Sequence, residues 1–221
     1  MIWCKHGHGT GRDRYHHGNL REALIEATLD LIAERGPAGF TFAEVARLVG
    51  VSPAAPYRHF RDRNALLAEV ARRGFQRFEA DLVRAWDDGR PEPFRALVNC
   101  GRAYLEFARR QPAYYAAMFE AGPPPETDPD LARAGERALA VLGGAVESLW
   151  AREPKSRRPP PRMVALHIWS LSHGIASLFL GCGEGARQPL PMTPEDLLEA
   201  GILLYLRGLG LGGGEAIPPD R

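Results

Sequence analysis

Cysteine is scarce in this 221-residue chain. Cys4, Cys100 and Cys182 are far apart and odd in number, so the sequence offers no disulfide framework and no paired-cysteine metal motif. That usage suits a reducing compartment. The chain also lacks a run of about 18 uncharged apolar residues, the length of a membrane span. Its first residues carry no apolar stretch of signal-peptide type, so a soluble, cytoplasmic protein is expected. Sustained alternation of apolar and polar residues is missing, which argues against strands. A catalytic constellation is missing too. Ser170, Ser172 and His173 are hydrolase-type residues, but neither a nucleophile elbow nor an oriented carboxylate accompanies them. The glycine-rich run 208–214 follows a helical segment rather than a strand, which excludes a nucleotide loop. Cys4, His6 and His8 are metal-capable types at a spacing that matches no familiar site. No enzyme, metal or cofactor is therefore expected.

What is present is ordinary in amount and uneven in placement. Hydrophobic residues make up 45% and charged residues 25%, as in a globular protein. The net charge is +1, yet residues 1–80 hold 12 Lys/Arg against 9 Asp/Glu while the remainder holds 16 against 18. A basic front suits a segment that meets phosphate. Residues 1–14 read as a flexible arm that either is disordered or lies transiently along a groove, and 213–221 as a flexible tail.

Helical periodicity begins at Leu20, with Leu24, Ala27, Leu31 and Ile32 on one face, and ends at Gly36-Pro37. Thr41 stands three residues before Glu44, a capping-box spacing. The short helix it opens ends at Gly50, where a left-handed residue is needed. Ser52 reads as a second cap and Pro53 as a first helical residue, with a second short helix to about His59. Asp62 or Arg63 opens a long helix toward Trp86. Further helices are predicted over about 92–111, from Pro112, and over 128–152, 162–181 and 194–211, with Gly122–Pro125 as a loop and 154–161 as a linker. The fold class expected is all-α: a three-helix domain over 15–62 and a larger helical domain over 63–212.

Two short helices across a glycine turn make a helix-turn-helix. Its second helix has a core side and an outward side that carries donors for base edges and phosphates. Arg58 is the candidate for base readout. Thr41, Tyr57, His59 and Arg63 are positioning candidates, and Ser52, Ala54 and Ala55 complete the expected DNA face. Tyr57 divides between core packing and phosphate contact. His59 divides between packing and phosphate contact. Thr41 is a cap first, with its backbone N–H a second donor for phosphate.

Thr41, Ala46, Gly50-Val51-Ser52, Tyr57, His59-Phe60 and Leu66-Leu67 together resemble the tetracycline-repressor (TetR) family of regulators over about residues 15–70. The family's frequent lysine at the start of the following helix is Arg63 here, and the pair at 55–56 is Ala-Pro. Trp169-Ser-Leu-Ser-His173-Gly174 is similar to the W-x-x-x-H-G pattern of a C-terminal domain type found in some of these regulators. The resemblance implies a homodimer on a palindromic double-stranded DNA operator, paired through residues about 162–211. It also implies a small-molecule effector, apolar or amphipathic, enclosed by the helices behind the reading head and shifting the one that begins near Asp62. Trp86, Tyr104, Phe107, Tyr115, Phe119, Trp169 and His173 are the pocket candidates, for which plain core packing is the alternative. The competing function is a helical carrier or sensor with no role at DNA.

Overall fold

In the computed structural model, residues 19–120, 128–151, 158–179 and 192–210 are described. The arm, the tail, the Gly122–Pro125 loop and the metal-capable Cys4, His6 and His8 lie outside them, as does the first half of the 154–161 linker. The described residues contain eight α-helices and no strand: α1 (Leu20–Arg35), α2 (Phe42–Val49), α3 (Arg63–Trp86), α4 (Pro93–Arg110), α5 (Pro112–Phe119), α6 (Pro129–Trp150), α7 (Pro161–Phe179) and α8 (Pro194–Gly208). None is long and apolar enough to cross a membrane.

Local chemistry sets most of these ends. Asn19 caps α1 by accepting from Glu22 N at 3.2 Å. The capping box on α2 is complete: Glu44 N donates to Thr41 Oγ1 at 3.2 Å, and Thr41 N donates to Glu44 Oε2 at 2.8 Å. Gly50 then takes φ 77° and ψ 29°, a backbone that a side chain would strain. Asp62 caps α3 by accepting from Ala65 N at 2.8 Å. The helix expected to reach 211 stops at Gly208.

The second element of the helix-turn-helix differs from the expected α-helix. It is one 3₁₀ turn, Ala55–Arg58, and no side chain caps it. Pro56 has no N–H, and its ring obstructs the carbonyl four residues back. The backbone closes tighter bonds instead, from Ala55 N to Ser52 O and from His59 N to Pro56 O, both 2.9 Å. Ser52 thus contributes its carbonyl rather than a side-chain cap.

The long α3 packs against α1, α4, α5 and α6, so one helix serves both halves of the chain. Leu66, Leu67, Val70, Phe78 and Leu82 are buried along it. At Gly74 a Cβ would stand 2.6 Å from Met118 Sδ, so the missing side chain is what lets α5 lie close to α3. Toward the other end of the fold, Glu199 of α8 sits between Arg95 (3.1 Å) and Arg102 of α4.

Where α1 meets α3, Glu69 is buried and accepts from Arg21 Nη1 (3.1 Å), Arg72 Nη2 (2.8 Å) and Arg73 Nε (2.8 Å). Arg73 also reaches both carboxylate oxygens of Glu22. Burial pushes the Glu69 carboxyl up, but the hydrogen bonds from its three arginines outweigh burial and hold it below its ordinary 4.5. A depressed carboxyl stabilises the fold above the unfolded value and loses that contribution as pH falls through the folded one. Glu69→Gln should therefore cost about 1–3 kcal/mol at neutral pH. In urea melts the wild type should lose stability more steeply than the variant as pH drops below 4.5; equal slopes would refute this role.

Candidate nucleic-acid interface and effector site

The 3₁₀ turn projects the residues expected to face DNA. Pro56 and Phe60 are buried beneath it, while Tyr57, Arg58 and His59 between them are exposed. Tyr57 is 60% exposed, yet its ring meets Phe42 edge-on at 4.9 Å, a contact that anchors its apolar body. Arg21 of α1 lies 5.1 Å over the Phe60 ring and holds the far side of the turn. Ser52 and Ala54 are exposed beside it, and Ala55 is half-buried. Arg47 was not singled out by its sequence. It projects from α2 into a groove of about 520 Å³ shared with Ala43, Glu44, Gly50, Val51 and Pro53. The signal available was a basic residue on the polar face of the supporting helix.

Two expected positioning residues are engaged inside the fold. Arg63 Nε donates to the Phe40 carbonyl at 3.0 Å, another of its nitrogens donates to the Pro37 carbonyl, and its guanidinium lies 4.4 Å over the Phe40 ring. It fastens α3 to the α1–α2 loop and is not presented to solvent as Arg58 is. The Thr41 N–H, a suggested phosphate donor, is already bonded to Glu44.

The second site gathers six of the seven pocket candidates. Tyr104 (α4), Tyr115 and Phe119 (α5), and Trp169 and His173 (α7) converge, and Phe78 of α3 joins them. Phe78 contacts Tyr104 at 5.0 Å, Phe107 at 5.1 Å and Trp169 at 5.5 Å between ring centroids, edge-on to Tyr104 and Trp169 and tilted to Phe107. Sequence reasoning missed Phe78, although its spacing of three from Phe75 marks an apolar stripe. Trp86 is the one candidate that stands apart. It closes the end of α3 against Gly89, whose Cβ would lie 3.3 Å from the indole.

The polar centre of this assembly is uncharged. Tyr104 Oη and Tyr115 Oη each lie 2.9 Å from His173 Nδ1, and Tyr115 Oη lies 3.5 Å from Ser177 Oγ. Burial pushes both phenols up and the imidazole down, and Glu120 only partly offsets the latter. Tyr104 is 2% exposed, whereas Phe119, Trp169 and His173 are half-buried and Ser177 is exposed. The rings are therefore open along the α5–α7 side. A separate polar groove of about 320 Å³ between α3 and α4 carries Arg77, Arg84 and Arg110, with Phe107 as its inner wall. Burial pushes the Cys100 thiol up to about 12, so it is inert. Among the described residues no His, Cys, Asp and Glu cluster is arranged to hold a metal.

Residues 24–70 match a family model described as bacterial regulatory proteins, tetR family, and residues 97–204 match one described as tetracyclin repressor-like, C-terminal domain. Over 193 residues the chain is 30% identical to the HTH-type transcriptional regulator BetI of Brucella anthropi, covering 85% of this chain and 94% of that one. It is 35% identical to BetI of Rhizobium meliloti over 45% of this chain and 50% of the relative. It is 24% identical to the uncharacterized regulator YobS of Bacillus subtilis over 45% and 51%. With these last two the chain spans about half the relative's length. Among solved structures, a protein of unknown function from Rhodococcus sp. RHA1 superposes with a TM-score of 0.72 at 28% identity, covering 89% of this chain and 98% of that one. AibR, solved with isovaleryl coenzyme A and operator DNA, shares the fold with a TM-score of 0.62 at 19% identity over 83% and 96%.

Two measurements check these placements. Arg63→Ala should lower stability by about 1–3 kcal/mol, the value of hydrogen bonds from a charged group, while Arg58→Ala should leave urea midpoints unchanged; the reverse order would exchange their roles. His173, followed by NMR, should titrate below its ordinary 6.5. Below that pH the unfolded chain takes the proton first, so stability should fall as pH drops through 6.5. A midpoint above 6.5 would contradict the neutral centre.

Proposed function

The chain belongs to the TetR family of bacterial regulatory proteins, and from that premise we propose a cytoplasmic, homodimeric, sequence-specific DNA-binding repressor. In this reading a small effector, bound among Tyr104, Tyr115, Trp169 and His173, lowers its affinity for the operator. The observation that carries it is the 3₁₀ turn, which exposes Tyr57, Arg58 and His59 side by side on a buried Pro56 and Phe60. Arg58 supplies a fork of donors of the kind that reads guanine in the major groove. Tyr57 and His59 set register against phosphates, and Ser52 and Ala54 let the backbone approach. Arg63 holds the head in place rather than touching DNA.

The dimer reading draws on α7 and α8. Met163, Leu166 and Leu178 of α7 and Leu204 of α8 are exposed, and His167 Nδ1 meets the Tyr205 hydroxyl between these helices at 2.5 Å. Large apolar side chains grouped on one face are suited to a second copy. Pairing there would bring two heads to one palindromic site. The effector reading draws on the half-open ring assembly, and AibR offers a precedent within the same fold for operator DNA and a small ligand on one chain.

The test is fluorescence anisotropy on duplexes from the DNA flanking the protein's own coding region, titrated across salt. Expected is a sequence-dependent complex whose affinity falls linearly on a log–log salt plot. Arg58→Ala should cost about 1–3 kcal/mol on the preferred duplex and little on random DNA. Uniform weakening on every duplex would make Arg58 a phosphate contact, and no binding even at low salt would overturn the repressor in favour of a carrier or sensor.

A further inference from the structure

The groove between α3 and α4 is a place apart from both the ring assembly and the reading turn. At about 320 Å³ it has room for a small ligand. Arg77 and Arg84 stand seven residues apart on α3, two turns along one helix face, and the small Ala80 between them leaves the space open. Arg110 and Gln111 approach from the end of α4, and Phe107 forms the inner wall. At a rise of about 1.5 Å per residue, Arg77 and Arg84 lie about 20 Å and about 30 Å along α3 from Arg63. DNA held at the reading turn is too far away to fill this groove.

Cations outnumber carboxylates along it: three guanidiniums stand against Asp81 and Glu106. The pairing is also incomplete. Asp81 meets Arg84 Nη2 at 3.0 Å. Glu106 accepts from Arg109 Nη1 at 2.9 Å, outside the groove, while Arg110 Nε stands 3.8 Å from it, beyond hydrogen-bond length. Arg77 has no carboxylate partner among the described residues; it rests 4.4 Å over the Tyr114 ring, a contact that holds it at the groove. The Gln111 amide makes no hydrogen bond among the described residues either. A guanidinium has five N–H donors, and two of them form a fork that meets two oxygens of one anion. Three such forks from two helices exceed what the two oxygens of a planar carboxylate accept. A phosphoryl group presents three terminal oxygens and carries close to two charges, so it gains about twice what a monoanion gains from the surplus positive charge.

We infer that the α3–α4 groove is a second ligand site, which holds a phosphoryl group between Arg77, Arg84 and Arg110. The site is independent of the effector reading above and stands without it. Free phosphate and a small phosphate ester present the same group, and the titration below separates them.

The experiment is calorimetric titration of the full-length protein with glycerol 3-phosphate, inorganic phosphate and uncharged glycerol, at low ionic strength, where exposed charges are least screened. Glycerol 3-phosphate should bind at one equivalent per chain, and glycerol should not bind. Arg84 and Arg110 are exposed, so R84Q and R110Q should keep the wild-type melting temperature while each weakens binding several-fold. R77Q should weaken it as well. Arg133 is an exposed arginine of α6 outside the groove, paired with Asp130, and R133Q should change nothing. Inorganic phosphate that binds as tightly as the ester would support the site with the phosphoryl group alone as its ligand. Weaker inorganic phosphate, still sensitive to R84Q, would support it with an ester as the ligand. Binding that is insensitive to R77Q, R84Q and R110Q, or that R133Q weakens equally, would mark a diffuse basic surface and overturn the site. Binding lost in R58Q but kept in the groove variants would place the phosphate at the reading turn and overturn it too, as would no binding of either phosphate.

Discussion

The buried Glu69 carboxylate is the joint on which this structure turns. It lies on the long helix that packs against α1, α4, α5 and α6, and its three arginine partners come from α1 and from α3 itself. Charges so placed are costly unless every lone pair is met. Here the carboxylate is fully engaged, and Arg73 extends the network to Glu22. Because guanidinium and carboxylate geometry is directional, the network fixes the rotation of α1 about α3 more sharply than apolar packing alone. The reading turn inherits that orientation through Arg21, which reaches both Glu69 and the face of Phe60.

The second half of the molecule touches this joint through α5. Tyr114 and Tyr115 are consecutive, so on a helix they point about 100° apart. Tyr114 meets Arg77 of α3, whereas Tyr115 meets His173 of α7. The same helix packs against α1, and Met118 fills the space that Gly74 leaves open. A close-packed contact of this kind transmits displacement rather than absorbing it. A ligand that moves Tyr115 or Phe119 therefore acts on α3 and α1 together, at the place where the charge network sets the angle of the head.

Much of this was legible in the sequence, and the residues show why. Thr41-x-x-Glu44, Gly50 and Asp62 act within four residues of themselves, so their caps follow from local chemistry. The apolar stripes of α4, α7 and α8 have the periodicity of the faces that they bury. The 3₁₀ turn was misjudged because Ser52 and Pro53 suggest a helix start, while the effect of Pro56 depends on which carbonyl its ring would meet. The spacing of Arg63 from the turn suits a phosphate contact. Its capture by two carbonyls and the Phe40 ring is a contact across more than twenty residues that no spacing encodes. Trp86 and Phe78 are equally aromatic and lie on one helix. Only the packing of α4 and α7 onto α3 selects Phe78 and leaves Trp86 at the helix end.

The boundary expected at residue 62 falls where α3 begins, and α3 packs on both sides of it. Residues 19–62 are too few to bury a self-sufficient core. Leu66, Leu67 and Val70 of α3 belong to the same continuous apolar cluster as Leu24, Ile25 and Val45, and the first residue of α3 donates from its guanidinium to the α1–α2 loop. The head thus borrows the start of the helix whose other end forms the wall of the ring assembly through Phe78. Independence of the two halves would need a linker, and there is none between Asp62 and Leu82, only continuous helix. In the repressor proposed above, coupling between the turn and the aromatic site follows from how the small head obtains its core, without any separate device added for it.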